Sequence, residues 1–327
     1  MYSTIQELSF ILEEEPRFLT YLEKIRMRLY SDYYIKKRNG GKREINTYIY
    51  KHSIQADNKL IFYSQKLKEV HTKIKNRIFD ELDLPDYIVG FRRNVSIKDA
   101  AKKHVGKKYV ISFDIHDFFG STKSDYLYNS LIKNYGFGEM ASWLIARLVS
   151  YKGRLPQGAV TSPSTANIAF LDADREIYEL CKANNIIYTR YADDMTFSTD
   201  NKENIELLLE KIPEIVNKYN YRINNKKTKI FGPKSRHYVL GIITNKKLNV
   251  PKEVRRNLEA AIFNFVVKKE VPAGVKDYVK YKRSLMGKAN YVLNINPTLS
   301  RLQRFKEMLK EFDPNKHVFK VKYSEAA

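Results

Sequence analysis

Apolar residues recur along the 327-residue chain at two spacings, one helical and one alternating, and the switches between them divide it into elements. Ile5, Leu8, Ile11 and Leu12 share a helical face behind a Ser3-x-x-Gln6 capping-box pattern. Pro16 opens a second helix with Leu19, Leu22, Ile25 and Leu29 inward and Arg26 and Arg28 outward. Residues 33–49 read as a hairpin turning at Asn39-Gly40-Gly41. A Lys-rich helix over 52–76, a strand over 87–91 and a helix over about 96–104 come next. The apolar strand 109–113 then ends on Asp114. Helices follow over about 123–134 and 137–149, and Pro163 after Ser162 announces a capped start to a helix spanning 165–183. Apolar, β-branched runs at 186–189 and 195–198 flank Tyr191-Ala192-Asp193-Asp194, which reads as a hairpin turn. Beyond it lie an amphipathic helix over 202–219 and a second hairpin over 238–250. Three helices close the pattern, the first with Val254, Leu258, Ile262 and Phe265 inward, the others over about 276–293 and 298–311. Residues from about Tyr323 are expected to be disordered.

Hydrophobic residues make up 43% and charged residues 29%, the balance of a folded protein, but 59 Lys and Arg against 37 Asp and Glu leave a net charge of +22. Such a field favours a polyanion, nucleic acid being the commonest, although a merely basic protein has the same composition. Twenty-four Tyr and 17 Phe add surfaces on which bases can stack. The single cysteine, Cys181, excludes a disulfide framework and a cysteine-based zinc site, and fits a reducing, cytoplasmic setting. The histidines at 52, 71, 104, 116, 237 and 317 lack metal-ligand spacing. No signal peptide and no membrane span are expected.

Three stretches carry candidate chemistry. Adjacent carboxylates at Asp193 and Asp194 repel each other and need a counter-charge, for which a pair of divalent metals is usual; the bland alternative is a solvated turn. Asp114, at the carboxyl end of an apolar strand, is costly unless it meets a metal or a cation. The basic hairpin at 33–49 is either a charged edge that blocks aggregation or a clamp on phosphates. Residues 251–327 add seventeen Lys or Arg against eight Asp or Glu.

Four motifs occur together in order: Phe-Asp-x-x-x-Phe-Phe at 113–119, Leu-Pro-Gln-Gly at 155–158 ahead of Ser-Pro and Asn167, Tyr-x-Asp-Asp at 191–194, and Asn-x-x-Lys-Thr at 224–228. This set resembles the reverse transcriptases. The resemblance implies an α+β right-hand polymerase. N-terminal helices and fingers would occupy 1–105, and a palm of antiparallel sheet backed by helices 106–250, with fingers-associated helices within 123–160. A helical thumb and tail would occupy 251–327. It further implies that Asp114, Asp193 and Asp194, together with Ile115, hold two Mg²⁺, with Mn²⁺ as a possible substitute. Lys227 would protonate the departing pyrophosphate. Arg43, with Lys37 or Lys36, would grip the triphosphate, and Gln157 would touch nucleotide or template. Phe119 would pack on the sugar and exclude a ribose 2′-hydroxyl. Arg92 and Arg93 would lie along the template, while Tyr191, Gly241, Arg255 and Arg256 would contact nucleic acid at the catalytic turn, the primer grip and the thumb.

With no ribonuclease H region and no endonuclease region expected, the chain most resembles a bacterial retron reverse transcriptase. That implies copying a dedicated structured noncoding RNA into a small RNA-linked single-stranded DNA from deoxynucleoside triphosphates, as part of an antiphage system. An effector encoded nearby and a host ribonuclease H for template removal are the implied partners. Two stretches depart from the retron pattern: Asn-Ala-x-x-His reads Ala100-Ala101-Lys102-Lys103-His104, and Val-Thr-Gly reads Val239-Leu240-Gly241. The alternatives are another antiphage or group II intron-like reverse transcriptase, a primer-dependent RNA polymerase, and a non-enzymatic RNA-binding scaffold. Phe119 argues against the RNA polymerase, and the intact carboxylates and Gln157 against the scaffold.

Overall fold

The computed structural model describes residues 2–36, 40–50 and 57–322. The first half runs α1 (Ile5–Leu12), α2 (Pro16–Ile25), β1 (Tyr30–Lys36), β2 (Lys42–Tyr48), α3 (Asn58–Arg77), α4 (Ile97–Lys103), β3 (Tyr109–Asp114), α5 (Phe118–Ser121), α6 (Ser124–Tyr135) and α7 (Glu139–Leu148). There follow α8 (Ser162–Ala169), α9 (Leu171–Ala183), β4 (Ile187–Tyr191), β5 (Asp194–Thr199), α10 (Glu203–Lys218) and β6 (Lys229–Phe231). Last come β7 (Tyr238–Val239), β8 (Ile242–Ile243), α11 (Lys252–Phe263), β9 (Glu270–Pro272), α12 (Tyr278–Ile295), α13 (Ser300–Glu311) and β10 (Lys320–Lys322). Lys37, Asn39, the first residues of the helix expected over 52–76, and the tail from Tyr323 lie outside the described residues. Among the described residues no helix is long and apolar enough to cross a membrane.

Two compact units emerge, one of Met1–Ile97 with Tyr109–Ile230, the other of Lys98–Lys108 with Phe231–Ala327. The hairpin β7–β8 therefore clusters with the C-terminal helices and not with the strands before it.

The first unit has two apolar cores. One gathers α1, α2, α3, α6 and α7 around Leu8, Leu19, Leu67, Leu127 and Leu144. The capping box of α1 falls one residue later than the pattern predicts: Glu7 N–H donates to the Thr4 hydroxyl at 3.2 Å, and Thr4 N–H to the Glu7 carboxylate at 3.0 Å. Arg26, expected outward, is buried, because Glu23 accepts from it at 2.7 Å and also from Arg147 at 2.8 Å. Helical periodicity cannot anticipate a partner from α7.

A buried polar chain ties this core to the hairpin β1–β2. His71 Nε2 lies 2.9 Å from the Leu148 carbonyl and so carries the proton, leaving Nδ1 to accept from the Tyr48 hydroxyl at 2.7 Å. The same hydroxyl receives the Val160 N–H at 3.3 Å.

The second core lies against the sheet, whose strand order is β4-β5-β3-β6. Both β3 and β4 run antiparallel to β5, and the register sets Asp114 opposite Asp194 and Tyr191 opposite Asp194. The helix expected over 165–183 is instead two, broken at Phe170 (ψ 0°), whose buried ring meets Tyr221 at 4.9 Å and Phe118 at 5.6 Å. Residues 87–91 do not form the expected strand. Val89 and Gly90 both donate to the Arg190 carbonyl, and Phe91 turns left-handed at φ +59°, so only Ile88 bridges to β4.

In the second unit the β7–β8 turn uses Leu240 and Gly241 at φ +50° and +81°. Positive φ at both central residues suits a two-residue hairpin. Val254, expected inward, is 48% exposed, whereas Leu258, Ile262 and Phe265 are buried as expected. Phe265 stacks on Phe319 at 4.9 Å, which brings the final strand β10 beside β9 in parallel pairing.

Burial pushes His71 down to about 4 from 6.5. The unfolded chain therefore takes up a proton near pH 6.5 that the folded chain refuses until about pH 4. Stability is full above pH 6.5 and falls through that window, by on the order of 3 kcal/mol from this one group. Denaturant unfolding between pH 7.5 and 4.5 should show a shallower pH slope for His71→Gln than for wild type. Equal slopes would remove His71 as the source.

Candidate active site

The sheet brings together carboxylates that are far apart in sequence. Asp114 ends β3 and faces Asp194 at the start of β5 across the ladder, and the Ile115 N–H donates to the Asp193 carbonyl at 2.8 Å. The turn between β4 and β5 consists of Ala192 and Asp193, with Ala192 at φ +54°. Burial is the first cause of an upward shift in both turn carboxyls, and like charge the next external one. Asp194 is pushed up to about 6 by burial, then by Asp193 and Asp114. Asp193 is raised by burial and by Asp114, and pulled back by its own backbone N–H, Lys227 and Arg43. One carboxylate oxygen of Asp194, Oδ1, is buried without a hydrogen-bond partner.

Asp114 is answered differently. Its Oδ2 accepts from Lys227 Nζ at 2.7 Å, with the lysine side chain 58% exposed. Ion pairs this exposed contribute about 1 kcal/mol or less, so Lys227 can leave Asp114 at little cost. Among the described residues no three His, Cys, Asp or Glu side chains are gathered tightly enough to hold a metal as they stand. The donor chemistry nevertheless fits a hard divalent cation: carboxylate oxygens that repel one another and one buried oxygen with nothing to accept from. Ile115, whose side chain is buried and apolar, could contribute only its main-chain carbonyl.

The other sequence candidates are placed in varied ways. Arg43 is exposed on β2, and its charge reaches Asp193. Phe119 is half-buried, stacked on Phe118 at 6.0 Å, five residues after Asp114. Gln157 is half-buried in the loop before α8, and that loop touches β2: Gly158 N–H donates to the Asn46 carbonyl at 2.9 Å. A Cβ on Gly158 would sit 2.7 Å from that same oxygen, so only glycine permits this approach. Tyr191 meets the ring of Phe91 at 5.4 Å. Arg92 spends its guanidinium on the carbonyls of Pro85 and Ile88, at 2.9 and 3.2 Å. Arg93 is paired with Asp80 at 3.1 Å and Glu81 at 3.3 Å. In the second unit Gly241 forms the β7–β8 turn, while Arg255 and Arg256 line a cavity of about 610 Å³ together with Lys252 and Arg301.

Residues 49–244 match the reverse transcriptase (RNA-dependent DNA polymerase) family. The chain belongs to that family. Its reaction class is accordingly RNA-directed DNA polymerisation. Over 250 residues the protein is 29% identical to the retron Ec86 reverse transcriptase of Escherichia coli, spanning 76% of this chain and 73% of that one. It is 27% identical over 290 residues to the retron Mx65 reverse transcriptase of Myxococcus xanthus, spanning 83% of this chain but 62% of that one. Among solved structures the fold is similar to apo telomerase from Candida tropicalis, with a TM-score of 0.51 at 14% identity, over 87% of this chain and 58% of that one. The α+β polymerase fold and the family implied by the motifs are thus met.

Sequence reasoning passed over Arg190 and Asp174, which lie fully buried beneath the turn as an ion pair. A signal was available: Asp174 falls on the apolar stripe of α9 with Leu171, Ile177 and Cys181, and Arg190 interrupts a buried strand.

The upward shift of Asp194 has a consequence for stability. Above pH 6 the folded protein carries a charge that it holds at a cost of up to about 3 kcal/mol; the cost falls as pH drops through 6 and is gone only well below the unfolded value of 3.8, where the carboxyl is neutral in both states. In chelator-treated buffer Asp194→Asn should therefore raise Tm at pH 8 and leave it nearly unchanged at about pH 3. A variant no more stable than wild type at pH 8 would contradict this reading.

Proposed function

We propose that the protein copies a dedicated structured noncoding RNA into a small single-stranded DNA joined to that RNA, by two-metal nucleotidyl transfer with Mg²⁺. The observation that carries the catalytic reading is the meeting of Asp114 with Asp193 and Asp194 at one end of the sheet, one of their oxygens buried and unpartnered. The retron setting is supported by the names of the sequence relatives. In it we place a cytoplasmic antiphage role, an effector encoded nearby and template removal by a host ribonuclease H.

Asp114, Asp193 and Asp194, with the Ile115 carbonyl, would hold the two ions, Mn²⁺ being a substitute. The chemistry supplied there is acidification of the attacking hydroxyl and charge neutralisation at the departing pyrophosphate. Lys227, released from Asp114, keeps its proton for that pyrophosphate. Arg43, with Lys37, neutralises the triphosphate, and Gln157 orients nucleotide or template. Arg92 shapes the 85–91 loop along the template, and Arg93, Tyr191, Gly241, Arg255 and Arg256 hold nucleic acid. Fingers, palm and thumb are read as 1–105, 106–250 and 251–327.

Primer extension on an RNA template tests the catalytic core. Asp193→Asn should lower single-nucleotide addition by about 10³-fold or more while RNA affinity stays within a few-fold, and chelation should abolish wild-type synthesis until Mg²⁺ is returned. Synthesis at wild-type rate by Asp193→Asn would end the assignment. The sugar-facing role predicts that Phe119→Ala raises ribonucleotide use relative to deoxynucleotide use by roughly 10- to 100-fold in direct competition. An unchanged ratio would remove Phe119 from the nucleotide site.

A further inference from the structure

We infer that Arg190 is a positioning residue: with Asp174 and Asn167 it fixes the Ala192–Asp193 turn and the Gly90 loop as one body, so that the turn carboxylates are presented to Asp114 in a set register. This rests on the polymerase reading for its kinetic consequence, though not for its structural one.

Arg190 and Asp174 are both fully buried. Taking two charges out of water commonly costs more than their attraction returns, and an apolar pair of like volume would serve stability as well. The explanation must lie in what the guanidinium holds. Its Nε donates to Asp174 Oδ1 at 2.8 Å and a terminal nitrogen donates to Asp174 Oδ2. Its other terminal nitrogen donates twice, to Asn167 Oδ1 at 3.0 Å and to the Ala192 carbonyl at 3.0 Å. Tyr188 completes the carboxylate shell, donating to Asp174 Oδ1 at 2.6 Å. Phe118 and Phe170 lie 5.6 and 5.1 Å from the guanidinium carbon and exclude water from it.

Each acceptor belongs to a different part of the site. Ala192 is half of the catalytic turn and holds a left-handed φ of +54° that its side chain disfavours. Asn167 sits on α8, just beyond the loop that bears Gln157, and passes the constraint on by donating to the Gly90 carbonyl at 2.8 Å. The Arg190 carbonyl in turn accepts from Val89 at 2.9 Å and Gly90 at 3.3 Å. Gly90 lies so close to the turn that a Cβ there would be 2.8 Å from the Ala192 nitrogen. A planar fork spans these acceptors at once; the single ammonium of lysine cannot.

The test is the double variant Arg190→Met/Asp174→Leu, which removes both charges and leaves an apolar pair. Its Tm should stay within roughly 3 °C of wild type. Amide hydrogen exchange over residues 190–195 should nevertheless quicken at least tenfold, with exchange in α1, α2 and α7 unchanged. In primer extension, kcat should fall at least 30-fold while KM for the nucleotide stays within about threefold. Unchanged exchange at the turn would overturn the inference whether or not the protein polymerises DNA. Loosened exchange with wild-type kcat would overturn the kinetic half alone. A wild type without any synthesis would count against the polymerase reading, leaving the exchange result to decide the structural claim. Should the double variant not fold, Asn167→Ser, which keeps the ion pair intact, should show the same exchange and kcat signature at about tenfold; its absence would equally refute the role.

Discussion

Like charges held partly out of water repel across the junction of β3 and β5, and the construction around that junction answers the repulsion. The Asp194 shift alone corresponds to about 3 kcal/mol, a large fraction of the roughly 5–15 kcal/mol by which a domain is stable. Two apolar cores, one under the N-terminal helices and one under the sheet, supply the margin. Three cations moderate the cost: Lys227 on Asp114 at the rim, Lys229 on β6, and Arg43 acting from β2.

The two ion pairs behave oppositely because their solvent exposure differs. Lys227–Asp114 is open to water, weak and exchangeable, as a pair must be if its carboxylate is to change partners. Arg190–Asp174 is sealed, and loss of one member would strand the other, at roughly 3–5 kcal/mol. A left-handed alanine costs about 1–2 kcal/mol, which a hydrogen bond from a charged donor, worth about 1.5–3 kcal/mol, can offset. The turn thus holds a conformation that its own sequence would not choose.

Much of the fold was legible because periodicity reports which face of an element is buried. The helices at 124–135, 139–148 and 203–218 lie within a few residues of their expected places, as do the strands around the turn. What was not legible depends on partners remote in sequence. Arg26 is buried because Glu23 and Arg147 are shared, and residues 87–91 are bent by donation to Arg190. The break at Phe170 follows from rings contributed by α5 and by Tyr221. At the site, residue types and spacing named the carboxylates, and the structure sets them side by side. The pairing of Arg190 with Asp174 beneath them, and of Lys227 with Asp114, is visible only in three dimensions.

The polar chain through Tyr48 and His71 makes the base of the hairpin β1–β2 a fulcrum. Tyr48 is anchored to α3 and to the Val160 backbone, whereas Lys36, Lys42 and Arg43 at the far end are exposed. Five residues of strand between Tyr48 and Arg43 amount to an arm of roughly 17 Å. A rotation of about ten degrees at the base would sweep Arg43 through roughly 3 Å, the length of a hydrogen bond. The charge that reaches Asp193 thus sits on the long arm of the hairpin, where a small pivot would have its greatest effect.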